Sequence, residues 1–323
     1  MAENSNYDEQ GINDAAEEDM QAPTSPDMND EEEATGQELP ESDSGPPAPA
    51  PADQTDAAAG GDDSANVEPP TEETKVIKVL KPEDQIRLYV WAGDDLKCLG
   101  DDVHCQQIYM ILSLKSEVNE MAKFQVITEN INIKKSQEFD QLAVNKLPCL
   151  VDPVGDRVIS DVQTIVDYLE QVFKEPCLKP KKTSLQQVGI DLYRKFTGYL
   201  KNTNPNKEDE MRSALNRELE KLNKALKDGG EHRFLDGDHL TQPDLRLLPR
   251  LHHVVVAGKI FKGYEIPEDE DKYGRLKQYL ENWKQTQVYQ ETKYSDKDME
   301  YGWYKTRGLD RMYIKVKGGY KLK

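Results

Sequence analysis

The 323-residue sequence predicts an α/β domain followed by an all-α domain, with an acidic tail in front. Three observations carry this reading. Residues 1–74 hold 22 Asp or Glu and no Lys or Arg. Strand-length apolar runs then alternate with helical periodicity as far as residue 175. Beyond residue 184 the apolar spacing is helical throughout.

The tail, residues 1–80, is rich in Asp, Glu, Pro, Ala and Gly, as in EEEATGQELPESDSGPPAPAPADQTDAAAGGDD. It carries too few large apolar residues to offset its chain entropy, so the expectation is disorder. A solvating extension is the plain reading; an arm for protein partners is the alternative. The formal charge of −19 belongs to this tail, because the remaining 39 acids face 42 Lys and Arg and leave +3 on residues 75–323. The low pI therefore says nothing about partners of the folded part. The opening MAENSNYDEQ lacks the basic start and apolar core of a secretory signal. The four cysteines, Cys98, Cys105, Cys149 and Cys177, lack the density of a disulfide scaffold, and a reducing cytosol is expected. No window approaches the roughly 18–20 apolar residues that span a bilayer.

In order, QIRLYVWAG (Gln85 to Gly93) reads as a buried strand ended by glycine. Val103 to Ser116 follow as a helix, with Ile108, Ile111, Leu112 and Lys115 on one face. FQVITENI (Phe124 to Ile131) is a second strand, and KLPCLVD and RVIS flank the turn DPVGD. A helix then presents Val162, Ile165, Val166, Leu169 and Phe173. The order βαβ then ββα, with a proline opening the third strand, predicts a thioredoxin-like domain over residues 85–175. Residues 176–184 form a Pro- and Lys-rich linker, and residues 185–300 an all-helical domain. Its helices are lined by Val188, Leu192, Phe196 and Tyr199, by Met211, Leu215, Leu219, Leu222 and Leu226, and by Leu276, Tyr279, Leu280 and Trp283. Thr241 and Asp244 have capping-box spacing, and Leu240 and Leu245 fit the hydrophobic staple.

A thioredoxin-like domain followed by helices resembles the glutathione S-transferase architecture. The stretches GIDLYRKFTGYLKNTNP, FLDGDHLTQPDLRLLPRLHHV and FKGYEIPED resemble the chloride intracellular channel (CLIC) family, over roughly Ile86 to Tyr289. The resemblance implies a glutaredoxin-like site in the first domain. It also implies a second, membrane-inserted form acting in ion transport as a voltage-gated chloride channel.

The family carries Cys-Pro-Phe-Ser at the first helix, where this sequence has Asp102, Val103, His104 and Cys105. The family nucleophile is thus replaced by Asp102, and a cysteine stands at the fourth position. A helix N-terminus lowers a thiol's pKa, but Asp102 suits the N-cap and would occupy the same donors. Its charge disfavours a thiolate at Cys105. No catalytic residue is firm, and Cys105 is a weak candidate. His104 would offset that charge if protonated. A metal site from Cys98, His104 and Cys105 is the lesser alternative, and no metal is expected.

The resemblance makes Pro148 a cis-proline and has Leu147 offer its backbone to glutathione. Ser160-Asp161 at the next helix start matches the family's Thr-Asp, with Asp161 facing an ammonium group, while Val162 replaces a threonine. The glutathione-binding candidates are therefore Asp102, Cys105, Leu147, Pro148 and Asp161; no cofactor is required. His252 and His253 read as packing residues, Cys149 as a small buried residue, and Cys177 as exposed.

The family's membrane segment corresponds to VHCQQIYMILSLKSEVNEMAKFQVITEN, in which Lys115, Glu117, Glu120 and Lys123 oppose insertion. Residues 301–323 form a basic, aromatic C-terminal extension. They hold seven Lys or Arg against Asp310, interleaved with Trp303, Tyr304, Tyr313 and Tyr320. Such a segment suits an anionic membrane surface or the acidic tail; nucleic acid is not expected as a partner. The expected function is a CLIC-like protein, cytoplasmic with a membrane-associated pool, in anion transport or membrane organisation. An oligomer would be needed in the membrane. The alternatives are a glutathione-dependent oxidoreductase using Cys105 and an interaction scaffold.

Overall fold

The computed structural model describes residues 81–309, together with the backbone of 313–316 and 319–322. The acidic-tail expectation for residues 1–80 lies outside the described residues. The first domain runs β1 (Ile86–Trp91), α1 (Val103–Val118), β2 (Phe124–Glu129), α2 (Gln137–Gln141), β3 (Cys149–Asp152), β4 (Arg157–Ile159) and α3 (Val162–Val172). Its sheet has the order β2-β1-β3-β4, with β1 parallel to β2 and antiparallel to β3. This is a thioredoxin-like sheet. Because successive side chains alternate faces, Ile86, Leu88 and Val90 enter the main core, whereas Tyr89 joins Phe139, Cys149 and Val151 on the other side. The short helix α2, which supplies Phe139, left no periodic signal in the sequence.

The second part is all α: α4 (Leu192–Lys201), α5 (Glu208–Asp228), α6 (Gln242–Lys262), α7 (Glu270–Lys284), α8 (Gln287–Thr292) and α9 (Asp296–Tyr301). A π-helical turn, Gly302–Thr306, continues α9. The architecture is thus a thioredoxin-like α/β domain followed by a helical bundle, as in glutathione S-transferases. Leu215, Leu219, Leu222 and Leu226 of α5 and Leu276, Tyr279 and Trp283 of α7 share one apolar core with Ile108, Ile111 and Leu112 of α1. At the start of α6, the Thr241 hydroxyl and N–H both donate to Asp244 Oδ2, at 2.7 and 2.9 Å. Asp244 also accepts from the Leu235 N–H at 3.0 Å and the Tyr279 hydroxyl at 2.8 Å. The capping box therefore also anchors the preceding loop and α7. The basic end contains a hairpin absent from the sequence reading, β5 (Tyr313–Val316) with β6 (Gly319–Leu322).

Lys115 follows its apolar neighbours into the core and is fully buried. Its ammonium donates to Glu170 Oε2 at 3.0 Å, Phe173 O at 2.6 Å and Pro176 O at 2.7 Å. All three protons are used, so α1 is tied to the end of α3.

Candidate functional site

The loop Gly93–Asp101 delivers the chain from β1 to α1, and Asp102 caps that helix with extended backbone, φ −77° and ψ 122°. Its Oδ1 accepts from the N–H groups of His104 at 3.0 Å and Cys105 at 2.8 Å. Those are the free donors that would stabilise a thiolate in the same position. Cys105 is fully buried, and its sulfur accepts the Trp91 N–H at 3.4 Å. Burial, and then the Asp102 carboxylate, push its thiol well above the ordinary range. His104 is half-buried, and burial lowers its pKa, so at neutral pH it brings no cation to the sulfur.

We expect alkylation of Cys105 in the folded protein to be slower than that of free cysteine at pH 7, with the exposed Cys98 and Cys177 reacting first. Mass spectrometry of time-resolved labelling checks this. A faster rate at Cys105 would overturn it. The Cys98 thiol donates to Asp95 Oδ2 at 3.1 Å. Among the described residues no three His, Cys, Asp or Glu side chains gather as metal ligands.

The start of α1 is covered by the C-terminal segment. Asp101 is buried and pairs with Arg307 at 2.7 Å. Burial nonetheless pushes its carboxyl up to about 6, with Arg307 opposing. A Cβ on Gly302 would run into that carboxylate, so the close approach of the π-helical turn requires glycine. Trp303, in the stretch read as a basic extension, is almost wholly buried. Its indole N–H donates to His253 Nδ1 at 2.9 Å, and His253 Nε2 lies 2.8 Å from the Asp101 carbonyl. An indole only donates and a carbonyl only accepts. His253 is therefore neutral and protonated on Nε2, consistent with burial lowering its pKa well below the ordinary value. Lys297 pairs with Asp94 at 3.1 Å, adding a second tie to the same loop.

A cavity of about 210 Å³ lies between this segment and the α1 start, lined by Asp101, Asp102, Asp298, Tyr301 and Arg307 among others. Of the sequence candidates only Asp102 lines it. Leu147 and Pro148 lie elsewhere, joined by a cis peptide just before β3. Leu147 makes no backbone–backbone hydrogen bond outside the regular elements among the described residues. Asp161 is exposed and caps α3, accepting the Thr164 N–H at 2.8 Å and hydroxyl at 2.6 Å. These bonds hold its carboxyl below the usual range.

Sequence reasoning missed Asp101, Arg307 and the Trp303–His253 link. Their partners are separated by as many as 206 residues, and no local pattern announces such contacts. His252 and His253 are buried packing residues, as the sequence suggested.

Residues 84–176 match a CLIC-like N-terminal domain, and residues 206–282 match a glutathione S-transferase C-terminal domain. The chain thus joins a CLIC-like N-terminal domain to a glutathione S-transferase-like C-terminal domain. Similar solved structures include the CLIC homologue EXC-4 from C. elegans, with a TM-score of 0.61, 24% identity, and coverage of 70% of this chain and 88% of that one. Dehydroascorbate reductase from Chlamydomonas reinhardtii aligns with a TM-score of 0.59 and 23% identity, over 68% of this chain and 97% of that one. A Tau class glutathione S-transferase from mango, Mangifera indica, aligns with a TM-score of 0.54 and 14% identity, over 67% and 95%. At these identities the likeness is one of fold. The CLIC-like domain holds Asp102, Cys105, Leu147, Pro148 and Asp161; the segment that covers its first helix lies beyond the matched transferase domain.

Proposed function

We propose that this chain is a non-catalytic CLIC-like protein that associates reversibly with anionic membrane surfaces and serves anion transport or membrane organisation from the cytoplasm. The observation that carries the reading is a carboxylate, Asp102, on the α1 donors, with the neighbouring thiol of Cys105 buried in the core. A disulfide exchange needs an exposed thiolate, and the α1 start offers none. Surface association draws support from the basic, aromatic residues 301–323. No described helix is long and apolar enough to cross a membrane. Insertion of α1 would have to break the Lys115 cluster, so a spanning form requires α1 to leave α3. Oligomers in the membrane, and protein partners for the acidic tail, belong to the same proposal.

Glutathione fits in one respect and not in another. The open backbone of Leu147 and the exposed carboxylate of Asp161 suit a γ-glutamyl peptide held without a covalent bond. A mixed disulfide does not fit, because Asp102 supplies no sulfur.

Two assays test this reading. The wild-type protein should show no glutathione-dependent turnover of a small mixed disulfide, whereas Asp102→Cys should gain it, because the α1 donors and Arg307 then act on a thiolate. Turnover by the wild type that Cys105→Ser abolishes would establish the oxidoreductase instead. In parallel, binding to vesicles should rise with anionic lipid content and fall when residues 310–323 are removed. Equal binding to neutral vesicles would sink the surface-association part.

A further inference from the structure

A second cleft, of about 450 Å³, opens between α1, α3 and the segment leading into α4, and Leu147, Pro148 and Asp161 do not line it. Its wall includes Gln107, of which only 6% is exposed. The Gln107 amide makes no hydrogen bond to any described residue, although it faces a polar cleft. The amide is open to the cleft rather than sealed in the core, and so is free to meet a water or a ligand group there.

Two cations share the cleft. Arg246 uses Nη2 on the carbonyls of Gln186 and Val188, which fixes the guanidinium while leaving its other N–H groups uncommitted. Lys179 is exposed. Neither forms an ion pair with a carboxylate among the described residues. Burial lowers the pKa of Arg246, the direction expected for a cation that lacks a counter-charge. On the opposite wall Gln163 donates to Asp167 Oδ1 at 3.0 Å, and Val166 supplies an apolar patch.

An uncompensated, fixed guanidinium suits a carboxylate, and an unpartnered glutamine suits a second amide, since each offers both a donor and an acceptor. Clefts between domains are common places for small-molecule sites. We propose that this cleft binds a small carboxylate carrying an adjacent amide, of the acylated amino acid or short peptide class. Arg246 and Lys179 hold the carboxylate, and Gln107 reads the amide.

Titration calorimetry on the full chain tests this with three probes: N-acetylalanine, propionate and N-methylacetamide. N-acetylalanine should bind saturably and more tightly than propionate, and N-methylacetamide should bind least. Lys179→Ala, at an exposed position, should weaken N-acetylalanine by about tenfold, the usual scale for one charge-assisted contact. Gln107→Leu keeps the volume, and should remove the preference for N-acetylalanine over propionate while leaving propionate unchanged. Circular dichroism of each variant verifies that it is folded. Absence of saturable binding by N-acetylalanine, or binding that neither variant changes, would overturn the proposal. A loss on Asp161→Asn with none on Lys179→Ala would also overturn it, by placing the ligand at the glutathione corner.

Discussion

Lys115→Met is expected to destabilise the fold by about 3–5 kcal/mol, the usual cost of removing one member of a buried ion pair. The loss is not that of a surface salt bridge. Glu170 would remain with its side chain 4% exposed and without its cation, and the carbonyls of Phe173 and Pro176 would lose their donor. Glu170 keeps one bond, from the Leu178 N–H at 3.2 Å. Urea denaturation of the single variant, of Glu170→Met and of the double variant separates the causes. The double variant should be more stable than either single one, because no buried charge remains. Equal, additive losses would show that the pair is uncoupled. The experiment also bears on membrane association, since α1 cannot leave α3 without exposing or neutralising Lys115.

Acid should weaken the fold from about pH 6.5 downward, through histidines that are neutral in the folded protein. His252 is held at about 4 by burial, His253 well below its ordinary value by burial and Arg307, and His104 lower by burial. Each is depressed in the folded state, so its contribution is complete above the unfolded value near 6.5 and is lost as pH falls below it. Asp101 acts in the opposite sense. Its carboxyl is raised to about 6, so its protonation favours the folded state as pH drops. Of the other groups facing it, the pKa of Arg307 is raised by Asp101 and stays far above the window. Burial also raises the carboxyls of Asp244 and Glu117, which act in the same sense as Asp101, so the three histidines leave a net uptake on unfolding of at most about two protons near pH 5, an upper bound of roughly 2–3 kcal/mol per pH unit. His104, only half-buried, contributes least. His252→Phe preserves the ring contact with Tyr294, now at 5.5 Å, and removes one titration. It should flatten the decline by up to about 1.4 kcal/mol per pH unit. Denaturation series from pH 7 to pH 5 would show this; a stability that does not change over that range would refute it.

Much of the fold was legible because burial writes itself as periodicity. The α1 face of Ile108, Ile111, Leu112 and Lys115 was placed by spacing alone, and the buried lysine obeyed it. The Thr241–Asp244 cap was legible for the same reason: it joins residues three apart. At the candidate site, Asp102 could be assigned to the helix N-cap from its position before an apolar periodic run. What covers that helix start could not be assigned. Trp303 and Arg307 looked like part of a basic terminal segment, and their burial depends on a π-helical turn passing over a glycine. The convergence of Gln107, Lys179 and Arg246 on one cleft was equally invisible, because it depends on how two domains meet.

The amino-acid sequence by itself determined the two-part architecture and the carboxylate at the N-cap of the first helix, because both rest on local spacing and capping chemistry; that this carboxylate replaces a thiol is what the family resemblance implies. Only the tertiary structure decided that Cys105 is sealed in the core, that Lys115 has three acceptors, and that residues 296–309 close over Asp101. Those outcomes depend on partners brought together by the packing of one shared core, and burial and charge pairing are properties of that assembly rather than of any single segment.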